Sequence, residues 1–131
     1  MLVYLCRHAE AAAGEPDDER ELTDAGRRQA RELGARLAAL PEPPRLVLAS
    51  PLVRARQTAE TVAEACAAEL RVEPELAPGA TAAGLRRALA GLDGPLATVG
   101  HQPDCSEIAL AETGSDPGFA PASMTELELE G

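Results

Sequence analysis

Lysine and tryptophan are absent from this 131-residue chain. Its aromatic side chains are Tyr4 and Phe119 alone. Base stacking needs aromatic platforms, so recognition of single strands by stacking is all but excluded. With no other large rings to fill it, the core must be Leu, Val and Ala. Positive charge is scarce too. Twelve Arg, all within residues 1–87, face 22 Asp and Glu, for a formal net charge of −10. A chain this acidic is not expected to bind nucleic acid or an anionic membrane through its overall charge. Any anion site has to be a local cluster of Arg.

Cysteine is sparse, odd in number and widely spaced, at positions 6, 66 and 105. There is no CxxC, and only Cys6 has a histidine, His8, at ligand spacing. Neither a disulfide framework nor a metal site is expected, and no cofactor motif is present. The reading is of buried thiols in a reducing cytoplasm. No apolar run reaches membrane-spanning length. The opening LVYLC is too short for a signal-peptide core and lacks a basic leader. What the chain does have is 45% hydrophobic residues, enough for one core. The length is that of one domain, residues 1–131.

Apolar runs alternate with helical patterns. Leu2–Cys6 has the continuous character of a buried parallel strand. Residues 9–22 are rich in Gly, Pro and acid and read as a loop. Thr23 is a helix N-cap, followed by an apolar stripe at Ala30, Leu33, Leu37 and Leu40. Pro41, Pro43 and Pro44 end that helix. Leu46–Ala49 is a second strand. Ser50-Pro51 has the form of a capping residue with Pro at the first helical position. The helix it opens buries Leu52, Ala55, Ala59, Val62 and Cys66. Leu70–Val72 is a third strand, 74–80 a loop, and Thr81 caps a short helix carrying Leu85 and Leu89. Leu96–Val99 is a further strand. Pro103 opens a helix through Ile108 and Leu110, 114–122 is a loop, and Met124–Leu129 alternates like an edge strand. Strand–helix repetition predicts an α/β domain with a mostly parallel sheet.

Three of the predicted strands run into chemistry. The first meets Arg7-His8, the second Ser50-Pro51-Leu52-Val53-Arg54, and the strand at 96–99 meets Gly100-His101. In a parallel sheet these ends share one edge, where open α/β sheets bind ligands. The chain has only two histidines, and both fall there. Two imidazoles and two guanidiniums suit a phosphoryl group. Arg grips phosphate oxygens bidentately and stays charged. The N-terminus of the helix after Ser50 adds backbone donors. A neutral imidazole can attack phosphorus, and the second can donate to an equatorial oxygen. Arg54 sits in a first helical turn, where a cation opposes the helix dipole, and that local cost argues for a functional role. A cysteine-based phosphatase would need Arg six residues after Cys. Positions 12, 72 and 111 are Ala, Val and Ala.

The segments CRHAEA, RELTDAGRRQA, LASPLVRARQTAE and VGHQP resemble, in this order, the histidine phosphatase superfamily. The similarity is strongest to its small SixA-type branch of phosphohistidine phosphatases. The resemblance implies a three-layer α/β/α fold of the phosphoglycerate mutase type with an edge strand at the C-terminus. It also implies a phosphohistidine enzyme intermediate formed without metal. By motif, His8 would be the nucleophile. Arg7, Arg54 and His101 would hold the phosphoryl oxygens, with Arg20 near the pocket.

The sequence departs from the family in two places. The usual RHG is RHA, with Ala9. Branches acting on metabolites carry a Glu general acid in an L-x-E setting. Here the matching stretch is Leu76-Ala77-Pro78, with Glu73 and Glu75 just upstream. An alkoxide leaving group gains roughly 10²–10⁴ in rate from a proton donor. Imidazole, whose conjugate acid has a pKa of about 6.5, needs one far less. The expected substrate is therefore phosphohistidine on a protein. The alternatives are a small phosphate monoester or a module that binds phosphate without turnover.

Overall fold

The computed structural model describes residues 1–130. Five strands form one sheet: β1 (Leu2–Arg7), β2 (Leu46–Ala49), β3 (Glu69–Val72), β4 (Leu96–Gly100) and β5 (Met124–Glu128). Their order across the sheet is β3-β2-β4-β1-β5. β3, β2, β4 and β1 are mutually parallel, and β5 closes the edge antiparallel to β1. Four helices connect them: α1 (Asp24–Ala38), α2 (Val53–Cys66), α3 (Ala82–Leu89) and α4 (Asp104–Thr113).

Strand alternation divides the core into two layers. Tyr4, Cys6, Val47, Ala49, Ala97 and Val99 face α1 and α2. Val3, Leu5, Leu46, Leu48 and Leu96 face the opposite side, against Leu85 and Leu89 of α3 and Ile108 of α4. This is the three-layer α/β/α arrangement. The helix interiors follow the apolar stripes expected of them. Ala30, Leu33 and Leu37 of α1 and Ala55, Ala59 and Val62 of α2 are all fully buried. Small residues let the two helices approach closely: a Cβ on Gly34 would press on Ala65 of α2. Tyr4, the one large ring of this layer, is buried and donates its hydroxyl to the Glu42 carbonyl at 2.6 Å.

The caps at Thr23 and Thr81 are present: each hydroxyl accepts from a backbone N–H three residues on, Gly26 and Gly84. The cap at Ser50 is not. α2 begins at Val53 with Leu52 as its N-cap. Ser50 lies at the end of β2, fully buried, and its hydroxyl is taken by His101. It still accepts from Leu52 N–H at 3.2 Å, a turn that delays the helix by two residues. The loop at 9–22 is more ordered than its composition suggests. Ala11 bridges Leu22, and residues 17–19 make one 3₁₀ turn. β3 is the exposed edge, one residue longer than expected at its start. Cys6 and Cys105 are buried, whereas Cys66 is only partly so, and all three thiols are free. Among the described residues no helix is long and apolar enough to cross a membrane.

Candidate active site

The parallel register brings the three reactive strand ends together. Arg7 pairs with Gly100, and Ala49 with Val99. The His8 N–H donates to the Gly100 carbonyl at 3.0 Å, and the His8 carbonyl accepts from Ala122 N–H at 3.1 Å. The backbone carrying the first histidine is thus pinned from both sides. A cavity of about 420 Å³ opens above these ends. Arg7, His8, Arg20, Arg54 and His101 all line it, with Glu10, Asp17 and Pro78. The five residues singled out in the sequence therefore converge.

His8 has a defined tautomer. Its Nδ1 lies 2.6 Å from the Ala9 carbonyl oxygen. A carbonyl only accepts, so Nδ1 carries the proton and Nε2 keeps its lone pair. Burial, reinforced by Arg54, Arg7 and Arg20, pulls the His8 pKa down to about 4, against the opposing pull of that carbonyl. At neutral pH the ring is uncharged, the state that attack on phosphorus would require. The His101 ring lies 5.2 Å away, centroid to centroid. Its Nε2 is 2.7 Å from the Ser50 hydroxyl. Burial, then the neighbouring His8 and Arg54, lowers its pKa to about 4 as well.

The guanidiniums are held by backbone. Arg7 Nη1 donates to the Phe119 carbonyl at 2.8 Å, and Arg54 Nη1 to the Asp17 carbonyl at 2.8 Å. Arg54 is only 6% exposed, a severe burial for a cation. Such burial is tolerated when the charge is paired, and Asp17 Oδ2 lies 3.2 Å from Arg54 Nη2. Asp17 Oδ1 accepts from Arg20 Nε at 2.9 Å. Arg7 Nε, Arg54 Nε and His101 Nδ1 are buried with no hydrogen-bond partner among the described residues. Buried polar groups left unsatisfied are costly and call for an explanation. Thr98 Oγ1 in β4 is a fourth such atom, but the other three all belong to residues that line the cavity, and the two guanidinium nitrogens are donors.

Sequence reasoning missed the residues that hold this arrangement. Thr58 is fully buried; its hydroxyl accepts from Ala9 N–H at 3.0 Å and donates to the Arg54 carbonyl at 2.9 Å. Gln57 accepts from Leu22 N–H and donates to Glu21, tying the 9–22 loop to α2. The available signal was spacing: Thr58 lies four residues after Arg54, hence on the same helical face. Gly26 was not singled out either, yet a Cβ there would collide with the Glu10 carbonyl. Its absence lets the start of α1 press against the loop that follows His8. Asp17, within the stretch read only as an acid-rich loop, joins two arginines. Asp104, buried in the first turn of α4, accepts from the N–H groups of Gly79 and Ala80 and so fixes the loop bearing Pro78.

Glu73 and Glu75 do not reach the cavity lining. The Glu73 carboxylate caps the Glu75 N–H at 2.7 Å, and Glu75 pairs with Arg87 at 2.8 Å. From the stretch matching the family's L-x-E, only Pro78 lines the cavity.

A family model described as "Histidine phosphatase superfamily (branch 1)" matches residues 3–78, a span that includes Arg7, His8, Arg20 and Arg54. An uncharacterized protein of Picosynechococcus is 41% identical, over 87% of this chain and 76% of its own length. The solved structure of the protein histidine phosphatase SixA complexed with tungstate superposes with a TM-score of 0.89. It is 26% identical and is matched over 99% of this chain and 89% of its own. A protein assigned as the phosphohistidine phosphatase SixA of Agrobacterium tumefaciens gives a TM-score of 0.82 at 27% identity, over 95% of this chain and 89% of its own. A mycobacterial glucosyl-3-phosphoglycerate phosphatase, at 20% identity and a TM-score of 0.72, shares the fold.

Proposed function

The chain belongs to the histidine phosphatase superfamily and is a phosphatase, and on that premise we propose that it acts on phosphohistidine carried by a protein partner. In this reading residues 1–131 form one histidine phosphatase domain working in the cytoplasm, where free thiols persist. His8 Nε2 attacks phosphorus in line. The bond from phosphorus to the substrate's ring nitrogen breaks, and its electron pair stays on that nitrogen. The phosphoryl group now sits on His8, whose ring has become cationic because Nδ1 keeps its proton. The Ala9 carbonyl, 2.6 Å from Nδ1, stabilises that charge. Water then cleaves the phosphorus–Nε2 bond, releasing inorganic phosphate and regenerating neutral His8. Arg7, Arg54 and His101 hold the phosphoryl oxygens throughout, and Arg20 assists from the rim. Fixed cations in a partly buried site stabilise the transferring group without reorganising.

The observation that carries the covalent step is the 2.6 Å approach of His8 Nδ1 to the Ala9 carbonyl, which places the proton there and leaves the Nε2 lone pair free to attack. The choice of phosphohistidine is supported by the cavity wall at Pro78, where the ester-cleaving branches place an acid. Of the two carboxylates that do line the cavity, Asp17 is committed to Arg20 and Arg54. Glu10 is exposed, with no side-chain ion pair among the described residues. It is the group through which a small-molecule phosphate esterase would work, and that is the second reading. The test is phosphate release from a phosphohistidine peptide and from an alkyl phosphate, with His8→Ala as the control and no added metal. Release from the peptide alone, abolished in the variant, is expected. Comparable rates on both substrates would favour the esterase and overturn the substrate assignment.

A further inference from the structure

The cavity carries an internal anion whose position is unusual for a phosphate site. Asp17 is 64% exposed at its side chain, while Arg54, to which it is paired, is 7% exposed. The carboxylate therefore stands at the outer rim of a pocket whose guanidinium lies deeper. It is fixed there by three contacts: its Oδ1 to Arg20 Nε at 2.9 Å, its Oδ2 to Arg54 Nη2 at 3.2 Å, and its own carbonyl to Arg54 Nη1 at 2.8 Å. Arg20 also donates to the Ala12 carbonyl at 3.2 Å, so the 9–22 loop is braced across the rim. In-line attack by His8 sends the leaving group away from His8, within a cavity whose lining includes this carboxylate.

Charge balance sharpens the point. Three guanidiniums (Arg7, Arg20, Arg54) and two carboxylates (Glu10, Asp17) line the cavity, and its two histidines, His8 and His101, are uncharged at neutral pH. One net positive charge remains. A dianionic alkyl phosphate exceeds it by one negative charge. A phosphoryl group on a histidine ring protonated at its other nitrogen carries one net negative charge and matches it. Protonation of that ring also makes it the better leaving group, since it then departs as neutral imidazole.

We propose that Asp17 is a specificity-determining residue: its carboxylate stabilises the protonated ring of a phosphohistidine substrate at the pocket rim and, by offsetting one arginine charge, disfavours dianionic phosphate esters. This rests on the phosphohistidine reading above and names the residue that enforces it. The hydrogen bond from Arg20, with help from Arg54, holds the Asp17 carboxyl below the usual carboxylate range. It is thus ionised wherever the substrate ring titrates. Nearby negative charge raises the pKa of a bound imidazolium, so the carboxylate extends activity on phosphohistidine toward higher pH.

The test compares wild type with Asp17→Asn, which removes the charge and keeps one acceptor oxygen, enough for Arg20 or Arg54 but not both, on phosphoimidazole and on an activated aryl phosphate from pH 5 to 9. Inorganic phosphate serves as a competitive inhibitor. For Asp17→Asn the ratio of kcat/KM on phosphoimidazole to that on the aryl ester should fall roughly tenfold, the scale of one charge-assisted contact. Inorganic phosphate should inhibit more tightly, and the alkaline limb on phosphoimidazole should move to lower pH. A purely structural role would lower both substrates together and leave the pH profile in place; that result, or an unchanged ratio, overturns the proposal while the phosphohistidine reading stands. Wild type that cleaves the aryl ester but not phosphoimidazole would instead remove that reading, and Asp17's selectivity with it.

Discussion

Thr58 offers a sharp test of how His8, the proposed nucleophile, is held. Its hydroxyl is the acceptor for the Ala9 N–H, and Ala9 is itself fully buried. Thr58→Val keeps the shape of the side chain and deletes the acceptor. The stranded N–H then costs about 1–3 kcal/mol of stability. A loss of about 2 kcal/mol lowers the Tm of a chain this long by roughly 6–10 °C. The Arg54 carbonyl keeps its ordinary helical partner and adds nothing to this. Ala9 also supplies the carbonyl that fixes the His8 tautomer, so its displacement reaches the chemistry. Misplacing a reacting group by about 1 Å can cost roughly 10²-fold in rate, and a fall in kcat of about 10- to 100-fold is expected. Thr58→Ser separates the two effects. It sacrifices one buried methyl, worth roughly 0.8 kcal/mol, but keeps the hydroxyl and should stay within about threefold of wild-type kcat. Urea melts and turnover of an aryl phosphate measure both quantities. A Val variant as stable and as active as the Ser variant would show that the Thr58–Ala9 bond does not position His8.

Two further outcomes follow from the site. Because the His8 pKa is about 4 rather than that of an ordinary imidazole, the protonated, inactive form appears only in acid. The acid limb of kcat/KM should lie near pH 4 to 5 after allowance for the substrate's own titration; an inflection at pH 6.5 assigned to the free enzyme would contradict the buried, arginine-flanked setting. Glu73→Gln and Glu75→Gln should each leave kcat on an aryl phosphate within about twofold, since one caps a backbone N–H and the other pairs with Arg87 away from the cavity. A drop of tenfold or more, with an altered alkaline limb, would identify the proton donor placed outside the site here.

The main lines of the fold were legible because the core uses one kind of signal throughout. β1, β2 and β4 are short apolar runs buried on both faces, and they stand out against acidic, Pro-rich surroundings. Once those strands are parallel, the positions of Arg7, His8, Arg54 and His101 follow from chain order alone. Ser50 misled because two physical demands compete for one hydroxyl. Its setting before Pro51 fits a helix cap, but burial beside His101 gives it a stronger partner across the sheet edge. Asp17 was obscured for a different reason. An acidic run in a polar loop reads as solvated unless the loop's path is known, and that path depends on Gln57, Gly26 and the Ala11–Leu22 bridge. Thr58 combines both difficulties, since its partner Ala9 lies 49 residues away in sequence.

The central claim is that the phosphoryl group passes through Nε2 of His8. The direct measurement is rapid acid-free quenching of the enzyme during turnover of an aryl phosphate, followed by ³¹P NMR and peptide mass spectrometry of the trapped protein. The account predicts a phosphoryl group on His8, bonded at Nε2, stable in base and lost in acid, and absent from His8→Ala. Phosphate trapped on another residue, or turnover that survives His8→Ala, would contradict it.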